Sequence, residues 1–137
     1  MGYKFLDHTG DIGMIVWADD LKTLYAQAAT ALFDIITDID RVEQTEERQI
    51  TVDGAGNEEL LVAWLNELLY LHEVERLLFH DFTITTLGEK SLRGTVRGEA
   101  FRDDYHIIKT TIKAATYHQL QVRNENGRWW AKVILDL

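Results

Sequence analysis

The chain ends Leu120-Gln121-Val122-Arg123-Asn124-Glu125-Asn126-Gly127-Arg128-Trp129-Trp130-Ala131-Lys132-Val133-Ile134-Leu135-Asp136-Leu137. This stretch decides what kind of fold the remainder must join. Asn126-Gly127 is the residue pair that accepts positive φ in a two-residue hairpin loop, a strong short-range signal for two antiparallel strands. Leu120 and Val122 lead in. The return strand sets Trp129, Ala131, Val133 and Leu135 on one face and Lys132, Ile134 and Asp136 on the other. A strand with one apolar face needs a cover, and the rest of the chain supplies it.

Two segments carry helical periodicity. After Asp19 or Asp20, either of which offers an N-cap oxygen, Leu21, Leu24, Tyr25, Ala28, Leu32, Ile35 and Ile36 mark a buried stripe that ends at Thr37-Asp38. Asn57 is positioned to cap a second helix, with Glu58 and Glu59 at the positive end of its dipole. Leu61, Trp64, Leu65, Leu68 and Leu69 form its stripe, to about His72 or Val74. Strands are expected at Tyr3 to Phe5, Asp11 to Trp17, Gln49 to Val52, Phe82 to Thr85 and Leu92 to Gly98. The order predicts an α+β fold: a single domain over residues 1–137, with two amphipathic helices packed on a mostly antiparallel multi-stranded sheet system.

Composition narrows the function classes. Of 137 residues, 46% are hydrophobic and 10% aromatic, enough for a packed core. There is no Cys, which excludes disulfides and thiolate metal sites and fits a reducing, cytoplasmic setting. Met1 to Leu6 runs straight into Asp7 without a leader-like apolar stretch, and no apolar run approaches the roughly 20 residues that span a bilayer. A soluble protein with no membrane contact is expected. The net charge of −9, without a basic cluster, argues against strong direct nucleic-acid binding. A protein or cation partner fits better.

Chemistry-bearing residues gather near the two ends. Residues 7 to 13 read Asp7-His8-Thr9-Gly10-Asp11-Ile12-Gly13, between the first two expected strands. Read alone, that pattern is a turn, since Asp, Thr and Gly bend chains for local reasons. Asp136, however, stands beside Leu137 and its α-carboxylate. With the last strand beside the N-terminal segment, Asp11, Asp136 and that carboxylate converge. Such a set needs a counter-charge, because neighbouring carboxylates repel, and oxygen-only ligands suit Ca²⁺ or Mg²⁺. A second segment, Lys113-Ala114-Ala115-Thr116-Tyr117-His118, carries a Lys and a His that by themselves read as solvated. His72, His80 and His106 lack a metal-like partner at i+4 and read as structural or surface residues, and Trp64 as core. Of Trp129 and Trp130, on opposite faces, one suits a partner surface.

Taken together, Asp7-His8-Thr9-Gly10-Asp11-Ile12-Gly13, Trp64-Leu65-Asn66-Glu67-Leu68-Leu69, Gly98-Glu99, Lys113-Ala114-Ala115-Thr116-Tyr117-His118 and Ile134-Leu135-Asp136-Leu137 resemble the archease family, in that family's order and over essentially the whole chain. Gly10 stands where that family usually has Ala, and Ala115 where Val is common. The resemblance implies a protein activator of the GTP-dependent tRNA-splicing ligase, which joins a 3′-phosphate or 2′,3′-cyclic phosphate RNA end to a 5′-hydroxyl. Such activators promote guanylylation of the ligase's own histidine and allow multiple turnover in tRNA splicing and RNA repair, without being enzymes. It further implies a divalent metal, Ca²⁺ by the family's habit, held by Asp11, Asp136 and Leu137, the last through its backbone or terminal carboxylate. His8, Lys113 and His118 become the candidates for acting on the ligase. The alternative is an autonomous metal-dependent phosphoester hydrolase with His8 or Lys113 near the cation; a third reading is a generic chaperone-like role.

Overall fold

The computed structural model describes residues 1–137, with His8 described by its backbone only. Strands β1 (Gly2–His8) and β2 (Asp11–Ala18) form an antiparallel hairpin whose register runs from Gly2 opposite Trp17 to His8 opposite Asp11. The acidic cassette, expected as a turn, is mostly strand. Only Thr9 and Gly10 turn, because Gly10 at φ +82° reverses the chain tightly enough for both flanking acids to stay in the ladder.

Helix α1 (Leu21–Ile36) starts where expected. Asp20 is its N-cap, accepting from the Thr23 N–H at 2.8 Å and the Thr23 hydroxyl at 3.0 Å. Helix α2 (Asn57–Val74) starts differently: Gly56, at φ +101°, is the N-cap and Asn57 is already helical. No side chain caps the helix; instead Glu59 in the first turn reaches back to accept from the Ala55 N–H just before the cap, at 2.6 Å. The helices are joined by polar bonds, from the Tyr25 hydroxyl to the Asn57 carbonyl (2.7 Å) and from the Trp64 indole N–H to the Tyr25 carbonyl (3.0 Å).

The expected sheet system is two sheets, and every strand pair in them is antiparallel. β3 (Glu46–Asp53), β5 (Ser91–Ala100) and β4 (Leu77–Leu87) lie in the order β3-β5-β4, each longer than its apolar alternation alone suggests. Gly98 is required where β5 passes β4, since a Cβ there would lie 1.8 Å from the Leu78 carbonyl oxygen. The other sheet runs β1-β2-β8-β6, with β6 (Ala114–Ala115) and β7 (Gln121–Glu125) sharing one edge of β8 (Arg128–Asp136). β7 and β8 are the Asn126-Gly127 hairpin, both loop residues having positive φ. The two-residue β6 was not expected, being too short to alternate.

The inward rows of β2 and β8 (Met14, Val16, Ala131, Val133, Leu135) are fully buried and join both helices and the other sheet in one apolar core. Within it, Phe33 of α1 sits 5.6 Å from Phe79 and 5.7 Å from Phe82 of β4, ring centre to ring centre. The alternating residues of β2 and β8, Asp11 and Asp136 among them, occupy the opposite face, away from the helices.

Candidate functional site

β2 and β8 are neighbours, so the two ends of the chain meet in one ladder. Asp11 lies directly opposite Asp136, and Ile12 opposite Leu135. The Leu137 N–H donates to the Gly10 carbonyl at 3.2 Å. That bond fixes the phase of the ladder, making Asp11/Asp136 a non-hydrogen-bonded pair, the kind whose side chains stand closest. Like charges directly opposite are unfavourable in a sheet. The Asp11 Oδ1 is also buried without a hydrogen-bond partner, alone in this among the described residues. A buried, orphaned carboxylate oxygen facing a second acid is costly as it stands.

The elements around the pair are held firmly. On the other edge of β8, Ala114 pairs with Asp136, and the Lys113 N–H donates to the Asp136 carbonyl at 2.8 Å. β6 is in turn clamped to α2 by one side chain. The Asn66 amide accepts from the Ala115 N–H (2.8 Å) and donates to the Ala115 carbonyl (3.1 Å). Sequence reasoning assigned Asn66 no role. The available signal was a polar residue between buried Leu65 and Leu68, placed where only a specific partner makes it tolerable.

Asp11, Asp136, the main chain of Leu137 and the backbone of Lys113 are therefore gathered at one corner. The exposed Lys113 also lines a cavity of about 250 Å³ with His72, Arg76, Phe101 and Ile112. The backbone of His8 lies opposite Asp11, while its side chain lies outside the described residues. His118 is set apart. It is exposed in the turn after β6, its N–H donating to a Thr116 hydroxyl that is itself bonded to the Ile134 carbonyl, a step down the strand from Asp136.

Among the described residues no group of three or more His, Cys, Asp or Glu side chains is placed to hold a metal. The corner offers two carboxylates and the main-chain oxygens of Leu137. That all-oxygen set, with its orphaned Asp11 Oδ1, fits a hard divalent cation and no softer one.

Of the three histidines read as structure or surface, His106 and His72 have buried structural partners, while His80 is half-exposed with its Nδ1 3.1 Å from the Gln44 Nε2. The Glu99–His106 pair is buried. The His106 Nδ1 accepts from the Arg102 N–H at 3.0 Å, so Nε2 carries the proton and donates to Glu99, also at 3.0 Å. Burial pulls the Glu99 carboxyl upward, but the Glu43 N–H, His106 and Arg102 outweigh it and hold it below the ordinary carboxylate range. This cluster ties the loop after β5 to the segment before β3, which accounts for Gly98-Glu99. His72, its Nδ1 bonded to the Leu77 carbonyl at 3.0 Å, is held below the usual histidine range by burial. Trp64 is fully buried, as expected, and among the described residues no helix is long and apolar enough to cross a membrane.

A profile of the Archease protein family matches residues 3–137. A Protein archease from Methanopyrus kandleri is 42% identical over 140 residues, covering 100% of both chains. One from Pyrococcus furiosus is 38% identical over 139 residues, covering 98% of each. The solution structure of protein 1598 from Methanobacterium thermoautotrophicum superposes with a TM-score of 0.84 at 35% identity, over 99% of both chains. The crystal structure of a Thermotoga maritima archease, described as a possible chaperone, shares the fold at a TM-score of 0.60 and 20% identity, over 98% of this chain and 96% of its own. The hydrolase alternative gains no support from these likenesses.

Proposed function

The chain belongs to the archease family, and from that premise we propose that it is a metal-binding, non-catalytic activator of the GTP-dependent tRNA-splicing ligase. In this reading it promotes guanylylation of the ligase's histidine and repeated turnover, acting in the cytoplasm through protein contact rather than by binding RNA. The observation that carries the proposal is the register of β2 against β8, which sets Asp11 opposite Asp136 beside the Leu137 main chain. Asp11, Asp136 and Leu137, the last through a main-chain or terminal carboxyl oxygen, would hold the ion, with Ca²⁺ the expected one. When bound, the ion supplies positive charge at an otherwise acidic corner and a point of attachment for anionic groups. Lys113 is the nearest candidate for contact with the ligase, since its main chain is bonded to Asp136. His118 and His8 follow.

Absence of a hydrolytic role is part of the proposal, and one experiment separates the readings. Purified protein is incubated alone with phosphoester and RNA substrates, then with ligase, GTP and RNA carrying a 3′-phosphate. Stimulation of ligation turnover with no activity alone is the expected result. Hydrolysis by the protein alone, or ligation unaffected by it, overturns the reading.

A further inference from the structure

The five-stranded sheet has a face that the helices do not cover. Strand alternation places Lys4 and Leu6 of β1, Ile15 and Trp17 of β2, and Trp130, Lys132 and Ile134 of β8 on this outer side, with Asp11 and Asp136 at one end. A sheet face turned to water ordinarily carries polar residues. Here the two central strands present Ile15, Trp17 and Trp130, each half-buried, around a buried Ile134, and Leu6 at the edge is 39% exposed. A row of partly exposed apolar side chains across three strands suits an interaction site.

Its charge runs against that of the chain. Lys4, Arg123, Arg128 and Lys132 all fall on outward positions, against Glu125 and the Asp11/Asp136 pair, in a protein of net charge −9. This charge pattern selects the occupant. A second copy docking face to face would set two faces of the same net positive sign together, with no acidic complement for the cations outside the Asp11–Asp136 corner but Glu125. A nucleic-acid strand would need free aromatic faces. Arg123, however, already lies 5.2 Å over the Trp130 ring, and Trp17 lies against Gly2, where a Cβ would be 2.7 Å from its ring. An acidic surface with an apolar centre, on a protein, matches both the cations and the flat hydrophobic rows.

We propose that this outer face docks an acidic, apolar-centred surface of the partner protein, continuous with the Asp11–Asp136 corner. The proposal rests on the activator reading and adds which side of the molecule faces the ligase. Docking here brings the metal corner, at the end of the same face, against the partner.

The test measures affinity for the purified ligase by calorimetry, for wild type, for Lys4→Glu/Lys132→Glu on this face, and for Lys90→Glu/Arg93→Glu, in the β4–β5 loop and on β5 of the three-stranded sheet. The second pair makes the same charge change on exposed residues elsewhere. We expect the face reversal to lose about tenfold or more in affinity, with the control near wild type and wild-type binding weakening with salt. Melting curves confirm folding; should the reversal misfold, Lys4→Gln/Lys132→Gln is expected to weaken binding in the same direction. Wild-type binding that the face variants leave intact overturns this docking face alone. Absence of wild-type binding overturns the activator reading and this inference with it. Wild-type self-association, or capture of single-stranded RNA, that the face reversal abolishes assigns the face to another occupant and overturns the proposal.

Discussion

Asp11 of β2 and Asp136 of β8 are Cα partners across an antiparallel ladder, although 125 positions separate them in sequence. Each is the other's nearest like charge by register, and the Asp11 Oδ1 has no hydrogen-bond donor. The pairing is a liability without a cation and, in the proposed reading, part of a ligand set with one.

Replacing either acid should therefore have opposite effects with and without metal. In chelator, Asp136→Asn should stabilise the fold by up to about 1 kcal/mol, the range for relieving directly opposed like charges. With excess Ca²⁺, wild type should melt at higher temperature while the variant should not respond. Thermal melts in chelator and in Ca²⁺ check both. A wild type indifferent to Ca²⁺ removes the metal from the account.

The proposed third ligand, Leu137, is tested at the other side of the corner. Extending the sequence past Leu137 converts its α-carboxylate to a neutral peptide carbonyl. Ca²⁺ affinity should then fall about tenfold or more, because ligand charge tunes calcium sites over orders of magnitude. A tag before Met1 should leave affinity unchanged. Calorimetric titration of the two tagged forms decides, and equal affinities would take the terminal carboxylate out of the ligand set.

Asn66 holds β6 through a donor and an acceptor on one residue, Ala115. Asn66→Ala should cost about 1–3 kcal/mol, by leaving Ala115 backbone groups unpaired. It should also lower ligase stimulation more than the stability loss alone, because Lys113 and its bond to Asp136 depend on the position of β6. Urea melts and turnover assays on one preparation separate the two effects. Unchanged stability would show that Ala115 is held without Asn66.

His72 gives the fold a pH dependence. Burial lowers its folded pKa below the ordinary value of 6.5. As pH falls through 6.5 the unfolded chain takes up a proton that the folded chain refuses, so stability drops until the folded pKa is passed. His72→Asn, which keeps a donor toward the Leu77 carbonyl, should flatten that part of the profile. Denaturant midpoints from pH 7.5 to pH 5 measure it. An equal slope in the variant would place the dependence on other groups.

What the sequence alone determined is what local physics encodes. Asn126-Gly127 fixed a hairpin because few residue pairs tolerate positive φ, and the period of Leu24, Tyr25, Ala28 and Leu32 fixed a helix because only one face can be buried. The α+β class follows from those signals and their order. The alternation of β8 also told which residues share a face with Asp136. Where the helix began was less legible at α2, because a glycine at positive φ caps it without a side-chain acceptor, and Asn57, expected as the cap, is already in the first turn.

Only tertiary structure decided the rest. That β8 lies beside β2, in a register placing residue 136 against residue 11, is a non-local pairing, and a slip of one residue would turn Asp136 to the other face. The division into two sheets, the pinning of two-residue β6 by Asn66, and the orphaned Asp11 Oδ1 arise the same way. Each depends on which surfaces remain to be buried once the helices have packed, and no single segment of the chain contains that information.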